Sequence, residues 1–275
     1  MRSFSALSSF RHVEALIRSC GLASPGRVIP DAILILDTES ATNVRYAIYF
    51  TPAEHDALTE KASRWLGRNA FSGVTYSDHE AHADITAEPR RYGFHATLKA
   101  PFELSEKRSE ADLLAALHTF AATRHTFDIP KLVVGSLGPF FALVPQAPYQ
   151  PLQDFAADVV DYFDPFRAPL SDSDIARRRP QNLTESQRQN LSLWGYPHVM
   201  DDFRFHMTLT GPVDEVERDH MSTVLTTAFS EFTDRPLTIS GLGLFIEKAR
   251  GEPFIAHTWL PLAAPNADDT KEAIA

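Results

Sequence analysis

Two short segments of this chain carry the residue types of proton transfer at one and the same spacing: Phe94-His95-Ala96-Thr97-Leu98-Lys99-Ala100-Pro101 and Phe205-His206-Met207-Thr208-Leu209-Thr210-Gly211-Pro212. Both read Phe-His-x-Thr-Leu-x-small-Pro, and their histidines lie 111 positions apart (206 minus 95). In an extended strand residues i and i+2 point to one face, so each copy sets an imidazole beside a hydroxyl. Imidazole titrates near neutrality, so of two rings facing one pocket one can accept a proton while the other donates one. A threonine hydroxyl can donate to a phosphoryl oxygen without adding charge. The set suits in-line cleavage of a phosphoester, in which one oxygen is deprotonated as another leaves protonated. A single His-x-Thr would read as a half-buried histidine bonded to a neighbour; two copies with matching Phe, Leu and Pro point to a site.

A phosphate pocket also needs positive charge. Lys99 follows Thr97 by two residues and Arg204 precedes His206 by two, so on regular strands both share the face of the histidines. Arg91 flanks the first motif, and Arg177-Arg178-Arg179 form a run in the polar segment before the second, where Arg178 is a candidate phosphate contact and the run a candidate lid. Among the aromatic residues, Tyr196 is the candidate ligand for a base or sugar. Tyr92 could also stack there, while Trp194, Phe94 and Phe205 read as core. Asp78-His79-Glu80-Ala81-His82-Ala83-Asp84 gathers many potential metal ligands, but it fits neither His-Glu-x-x-His nor a His-x-His-x-Asp-His pattern. It reads as an exposed acidic loop, so no metal and no cofactor is expected. The histidines at 12, 55, 118, 125, 198, 220 and 257 show no paired spacing, His198 alone lying near the second motif.

The elements that must position these residues repeat in order. Arg45–Phe50 is a β-branched and aromatic run with strand character, and a helix opening at Pro52 runs through Trp65 and Leu66 to Gly67. An irregular stretch over 71–90 precedes the first motif strand, Phe94–Leu98. A helix over 109–124 follows, then strands at 127–137 and 140–144 joined through Gly138-Pro139. The second half offers a helix at 148–163, one or two helices within 171–194, the motif strand Phe203–Leu209, a helix at 213–232, and strands at 237–245 and 254–260 around Gly251. Each half therefore offers strand, helix, motif strand, helix and hairpin, an order that a duplicated α+β unit explains.

The whole chain has 275 residues, 44% hydrophobic and 23% charged, an ordinary globular composition with enough residues to bury a core. Its formal charge of −10 argues against a broad grip on long nucleic acid or anionic lipid. The lone cysteine, Cys20, excludes an internal disulfide and a cysteine zinc cluster and fits a reducing, cytoplasmic setting. No run of about 20 apolar residues is present to span a bilayer. Residues 1–43, with Arg2, Arg11 and Arg18 against one acid in the first 18 positions, read as a loosely attached extension with a helix at Ser9–Cys20 and a strand at Ala32–Asp37, and 263–275 as a tail.

The paired His-x-Thr motifs resemble the signature of the two-histidine (2H) phosphoesterase superfamily. Arg45–Pro52, Arg91–Phe102 and Trp194–Pro212 are similar to a DUF1045-like branch of phosphonate-metabolism proteins found with carbon–phosphorus lyase operons. The resemblance covers about 44–262. It implies a duplicated, pseudo-two-fold, bilobal fold in which two antiparallel sheets flank a central cleft with helices outside. The first motif lobe would lie near 91–137 and the second near 203–260, with strands exchanged between the sheets. It implies His95 and His206 as general acid and base and Thr97 and Thr208 on the phosphate oxygens, in a metal-independent cyclic phosphodiesterase. The substrate it implies is a small sugar or nucleotide cyclic phosphate, with ribose 1,2-cyclic phosphate from phosphonate breakdown as the specific expectation. Processing of 2′,3′-cyclic or 2′,5′-linked RNA ends, and a non-catalytic phosphate-binding role, are the alternatives. The expected partner is a small phosphorylated substrate, with no long nucleic acid and no membrane, on a monomer.

Overall fold

β1 (Arg45–Phe50) is apolar on both faces, and each face has its own use. Tyr46, Ile48 and Phe50 enter the main core, while Ala47 and Tyr49 pack on the other side with Ala70, Phe245 and Phe254. In the computed structural model of the chain, residues 44–77 and 79–264 are described. The helix read at Ser9–Cys20 and the strand at Ala32–Asp37 lie outside them. Among the described residues no helix is long and apolar enough to cross a membrane.

α1 (Ala57–Leu66) starts later than Pro52, because the Asp56 side chain accepts the Leu58 N–H at 2.8 Å and so sets the helix start. It ends where Gly67, at φ +86°, returns its N–H to the last turn. The stretch read as irregular contains α2 (Ala83–Tyr92), which buries only Thr86 and Pro89 and so shows no apolar period. Pro89 has no N–H to give the Ile85 carbonyl four residues back. That carbonyl instead accepts from Gly211 N at 2.5 Å, tying α2 to the end of the second motif.

β2 (Ala96–Phe102) carries the first motif, and α3 (Glu110–Thr123) follows with a Ser109/Asp112 capping box. β3 (Phe127–Ile129) is separate from the hairpin of β4 (Leu132–Leu137) and β5 (Phe140–Pro145), which turns at Gly138 with φ +58°. α4 (Gln150–Phe163) buries Leu152, Phe155, Ala156, Val159, Val160 and Phe163 at helical spacing. The polar segment holds α5 (Asp172–Arg177) and α6 (Glu185–Trp194). The second motif forms only a two-residue strand, β6 (Met207–Thr208), followed by α7 (Arg218–Ala228), β7 (Leu237–Ile239), β8 (Gly241–Glu247) and β9 (Ile255–Pro261). The described chain continues past the expected boundary at 262, where Ala263 N bonds Arg124 O at 2.9 Å and Ala264 O accepts from His125 Nδ1.

The sheet runs β4-β5-β6-β2-β1-β8-β9, all pairs antiparallel, and β3 pairs with β7 in a separate ribbon. Matching β1 to β5, β2 to β6, β3 to β7 and β4 to β8 makes this order read the same from β4 inward as from β8 inward. In this matching the β4–β5 pair corresponds to the β8–β1 pair. Where the sequence reading has two sheets flanking a cleft, the described residues place the strands of both motifs in one seven-stranded sheet, with the two-stranded ribbon apart from it. The reason is the Ala96↔Met207 pair, through which β6 joins β2 as well as β5. Ala96 and Met207 point into the core. Their neighbours His95, Thr97, His206 and Thr208 therefore line the opposite face of the seam.

Candidate active site

Over that seam lies a cavity of about 550 Å³ lined by both motif histidines and threonines. The two imidazoles are held alike. His95 Nδ1 lies 2.9 Å from Gly93 O and His206 Nδ1 lies 2.6 Å from Arg204 O, the carbonyl two residues earlier in each copy. A carbonyl only accepts, so Nδ1 carries the proton and Nε2 is left as the available nitrogen of each neutral ring. His95 Nε2 is 3.2 Å from Thr97 Oγ1.

Tyr49, opposite Thr97 on β1, stacks on the His95 ring with centroids 3.9 Å apart. Burial pushes the His95 pKa down to about 4 against the Gly93 carbonyl, which raises it; His206 lowers it further. Burial also lowers the His206 pKa, opposed by the Arg204 carbonyl. Gly93 has φ +78° and ψ 178°, and a Cβ there would meet Ala70 Cβ at 2.5 Å. Gly93→Ala is therefore expected to lose about 1–3 kcal/mol from backbone conformation alone. It should also displace the carbonyl under His95, so urea denaturation and kcat should fall together.

Around the histidines the cavity wall is basic. Arg45, Arg91, Arg177, Arg178 and Arg250 line it, together with Tyr92, Tyr196 and Asp174. Glu247, with its side chain fully buried, pairs with both Arg45 and Arg91 and accepts from Gly251 N at 2.9 Å. Arg250 bonds Glu103 at 2.9 Å and Asp174 at 3.2 Å, and Arg177 pairs with Asp174. These bonds anchor α5, the start of the polar insertion, over the site. Arg178, just after α5, lies over the Tyr196 ring at 4.8 Å.

Seven of the nine site residues read from the sequence meet here: His95, Thr97, His206, Thr208, Arg91, Arg178 and Tyr196. Lys99 and Arg204 do not. A bulge in β2 opposes Thr97 to Tyr49 but Lys99 to Ile48, two residues against one, and so turns Lys99 off the face that lines the cavity. Lys99 Nζ is instead buried on Val160 O at 3.1 Å and Asp164 at 3.0 Å. Arg204 sits before β6 begins, where alternation does not hold, and its side chain bonds Asp201 O and Phe203 O. Lys99→Met is accordingly expected to lower thermal stability while leaving kcat/KM on a phosphoester unchanged.

Tyr92 lines the cavity and stacks on Phe254, Trp194 lies outside it, and Phe94 and Phe205 are core. The acidic run contributes His82, stacked on Trp65 at 3.9 Å. Among the described residues no group of three or more His, Cys, Asp or Glu is gathered as for a metal. Sequence reasoning missed Arg45, Tyr49, Glu247 and Arg250. For Arg45 and Tyr49 a signal existed, since the pair shares one face of β1.

The family described as "Protein of unknown function (DUF1045)" matches residues 97–255, over half of the chain. The chain belongs to the DUF1045 family. The matched span includes Thr97, Arg178, Tyr196, His206, Thr208, Glu247 and Arg250 of this DUF1045 protein. It is also 34% identical over 244 residues to "Ribose 1,5-bisphosphate phosphokinase PhnN" of Janthinobacterium sp. (strain Marseille), covering 85% of this chain and 54% of that protein. The protein of the same name from Laribacter hongkongensis (strain HLHK9) is 32% identical over 238 residues, covering 83% and 55%. The chain thus spans about half the length of the curated relatives it matches.

Proposed function

We propose that this DUF1045 protein hydrolyses a small cyclic phosphodiester without a metal, using a 2H-type duplicated fold. The observation that carries the reading is the pair of imidazoles, each tied by Nδ1 to the carbonyl two residues back and each beside a threonine, in one cavity. The sheet order, which reads alike from both halves, supports the duplication.

His95, the ring with the pKa near 4, is neutral at pH 7 and serves as base. Its Nε2 takes a proton from water as the water oxygen bonds to phosphorus. His206 enters as imidazolium, its pKa raised by the bound anion, and gives its proton to the departing sugar oxygen as the P–O bond breaks. The product is a monoester, and the proton gained by His95 returns to His206 through solvent. Thr97 and Thr208 hold the non-bridging oxygens as charge develops on them.

A cavity of about 550 Å³ favours a sugar phosphate or a mono- or dinucleotide, and the acidic chain weighs against long RNA. The sequence resemblance and the ribose phosphate in the relatives' names both support a ribose cyclic phosphate from phosphonate breakdown. The same names favour a second reading, phosphoryl transfer. This chain has no Gly-x-x-x-x-Gly-Lys-Ser/Thr, and we assign the phosphokinase in the relatives to the part of them it does not span.

The test is hydrolysis of a panel of cyclic phosphates with and without EDTA, beside ATP-dependent transfer to ribose 1,5-bisphosphate. Turnover indifferent to the chelator is expected. Loss of turnover with EDTA overturns the metal-free scheme, and transfer from ATP without hydrolysis replaces the reading with a kinase.

A further inference from the structure

We propose that the cavity has a second phosphate subsite, formed by Arg45, Arg178 and Arg250 at its Pro101 end. Its ligand would be a terminal phosphate monoester on the same sugar that carries the scissile diester. The inference rests on the hydrolase reading for the identity of the reacting end, and on independent geometry for the other end.

The cavity follows β2 from His95 and Thr97 to Ala100 and Pro101. Four residues of strand separate Thr97 from Pro101, roughly 10–13 Å, which leaves room for one sugar between two phosphates. At the far end Arg45, Arg178 and Arg250 line both the main cavity and a small adjoining recess bounded by Pro101 and Glu103. Each guanidinium is already oriented. Arg45 leans on buried Glu247, Arg250 is fixed by Glu103 and Asp174, and Arg178 is held over the Tyr196 ring. Such fixed planar forks suit a phosphate, since little side-chain freedom remains to be lost on binding.

Charge points the same way. The five lining arginines face three carboxylates, Glu103, Asp174 and Glu247, so two positive charges are in surplus before either histidine is protonated. Among the described residues no carboxylate pairs with Arg178. A cyclic diester brings one negative charge, and the imidazolium and hydroxyls already meet it at the seam. A monoester dianion at the Pro101 end matches the remaining surplus.

The experiment compares ribose 1,2-cyclic phosphate with its 5-phosphorylated form, and adds calorimetric binding of ribose 5-phosphate against ribose. The wild type should prefer the 5-phosphorylated substrate, chiefly through KM, and should bind ribose 5-phosphate but not ribose. Arg178→Gln and Arg250→Gln should each cut that preference by about 10- to 100-fold, with Arg178→Lys restoring part of it. Folding of each variant is checked by its thermal midpoint. Equal kcat/KM on the two substrates overturns the subsite while the hydrolase reading stands. Binding of ribose 5-phosphate that Arg178→Gln abolishes, with no cyclic phosphate turned over, upholds the subsite and sinks the hydrolase reading. No binding of ribose 5-phosphate by the folded wild type overturns the subsite.

Discussion

His95→Ala and His206→Ala are each expected to lower kcat on a cyclic phosphodiester by on the order of 10²–10⁴-fold. The two imidazoles occupy equivalent places in the fold, yet the loss should have a different pH signature in each case. In the free enzyme His95 titrates near pH 4 and His206 below the usual 6.5. The base must be unprotonated and the acid protonated, so kcat/KM should form a bell on the acid side of neutrality. Its acid limb belongs to His95 and its alkaline limb to His206. In the enzyme–substrate complex the bound anion raises the His206 pKa, which moves the alkaline limb of kcat upward. His95→Ala should remove the acid limb and His206→Ala the alkaline one. Initial rates across pH for both variants decide the matter, and near-normal kcat in either removes that histidine from the mechanism.

Glu247→Ala is expected to destabilise the protein by about 3–5 kcal/mol, the scale of breaking a buried ion pair by deleting one partner. The carboxylate is completely buried and joins Arg45, Arg91 and the Gly251 N–H, so its removal leaves two guanidiniums crowded without their anion. Glu247→Gln retains the volume and some of the hydrogen bonds and should cost less. Its pKa is held below the ordinary value despite burial, chiefly by the bond from Arg45 with help from Gly251 and Arg91. A carboxylate with a depressed folded pKa stabilises above its unfolded pKa of about 4.5. That contribution is lost as pH falls through the lower, folded value. His95 works in the same direction: its folded pKa is below the unfolded one, so stability falls as pH drops from about 6.5 to about 4. Urea titrations of wild type and Glu247→Ala should therefore differ by the same amount from pH 7 down to about pH 4.5 and converge only below it, the His95 contribution being common to both. A variant as stable as wild type at pH 7 would show that Arg45 and Arg91 are adequately solvated without Glu247.

Much of the fold was legible because its signals are local. Arg45–Phe50 is a strand at those residues, and the Ser109 cap, Gly67 and Gly138 each mark an element end where they stand. The Phe-His-x-Thr repeat brought His95, Thr97, His206 and Thr208 to one cavity. Alternation then failed where strands were irregular. The β2 bulge turned Lys99 into the protein, and the shortness of β6 left Arg204 without a strand face to share. α2 went unread because a helix that buries two residues has no apolar period to read.

By itself the sequence determined which groups could move a proton and that they occur twice, since residue type and a two-residue spacing are properties of the chain alone. Only the tertiary structure decided which cations accompany them. Arg45, Arg91 and Arg250 come from segments far apart in sequence and are assembled through two carboxylates, buried Glu247 and Glu103, and through the pairing of β1 with β8. Long-range pairing of this kind leaves no periodic trace along the chain, so the basic wall of the cavity, and the second phosphate it is proposed to hold, become visible once the strands are in register.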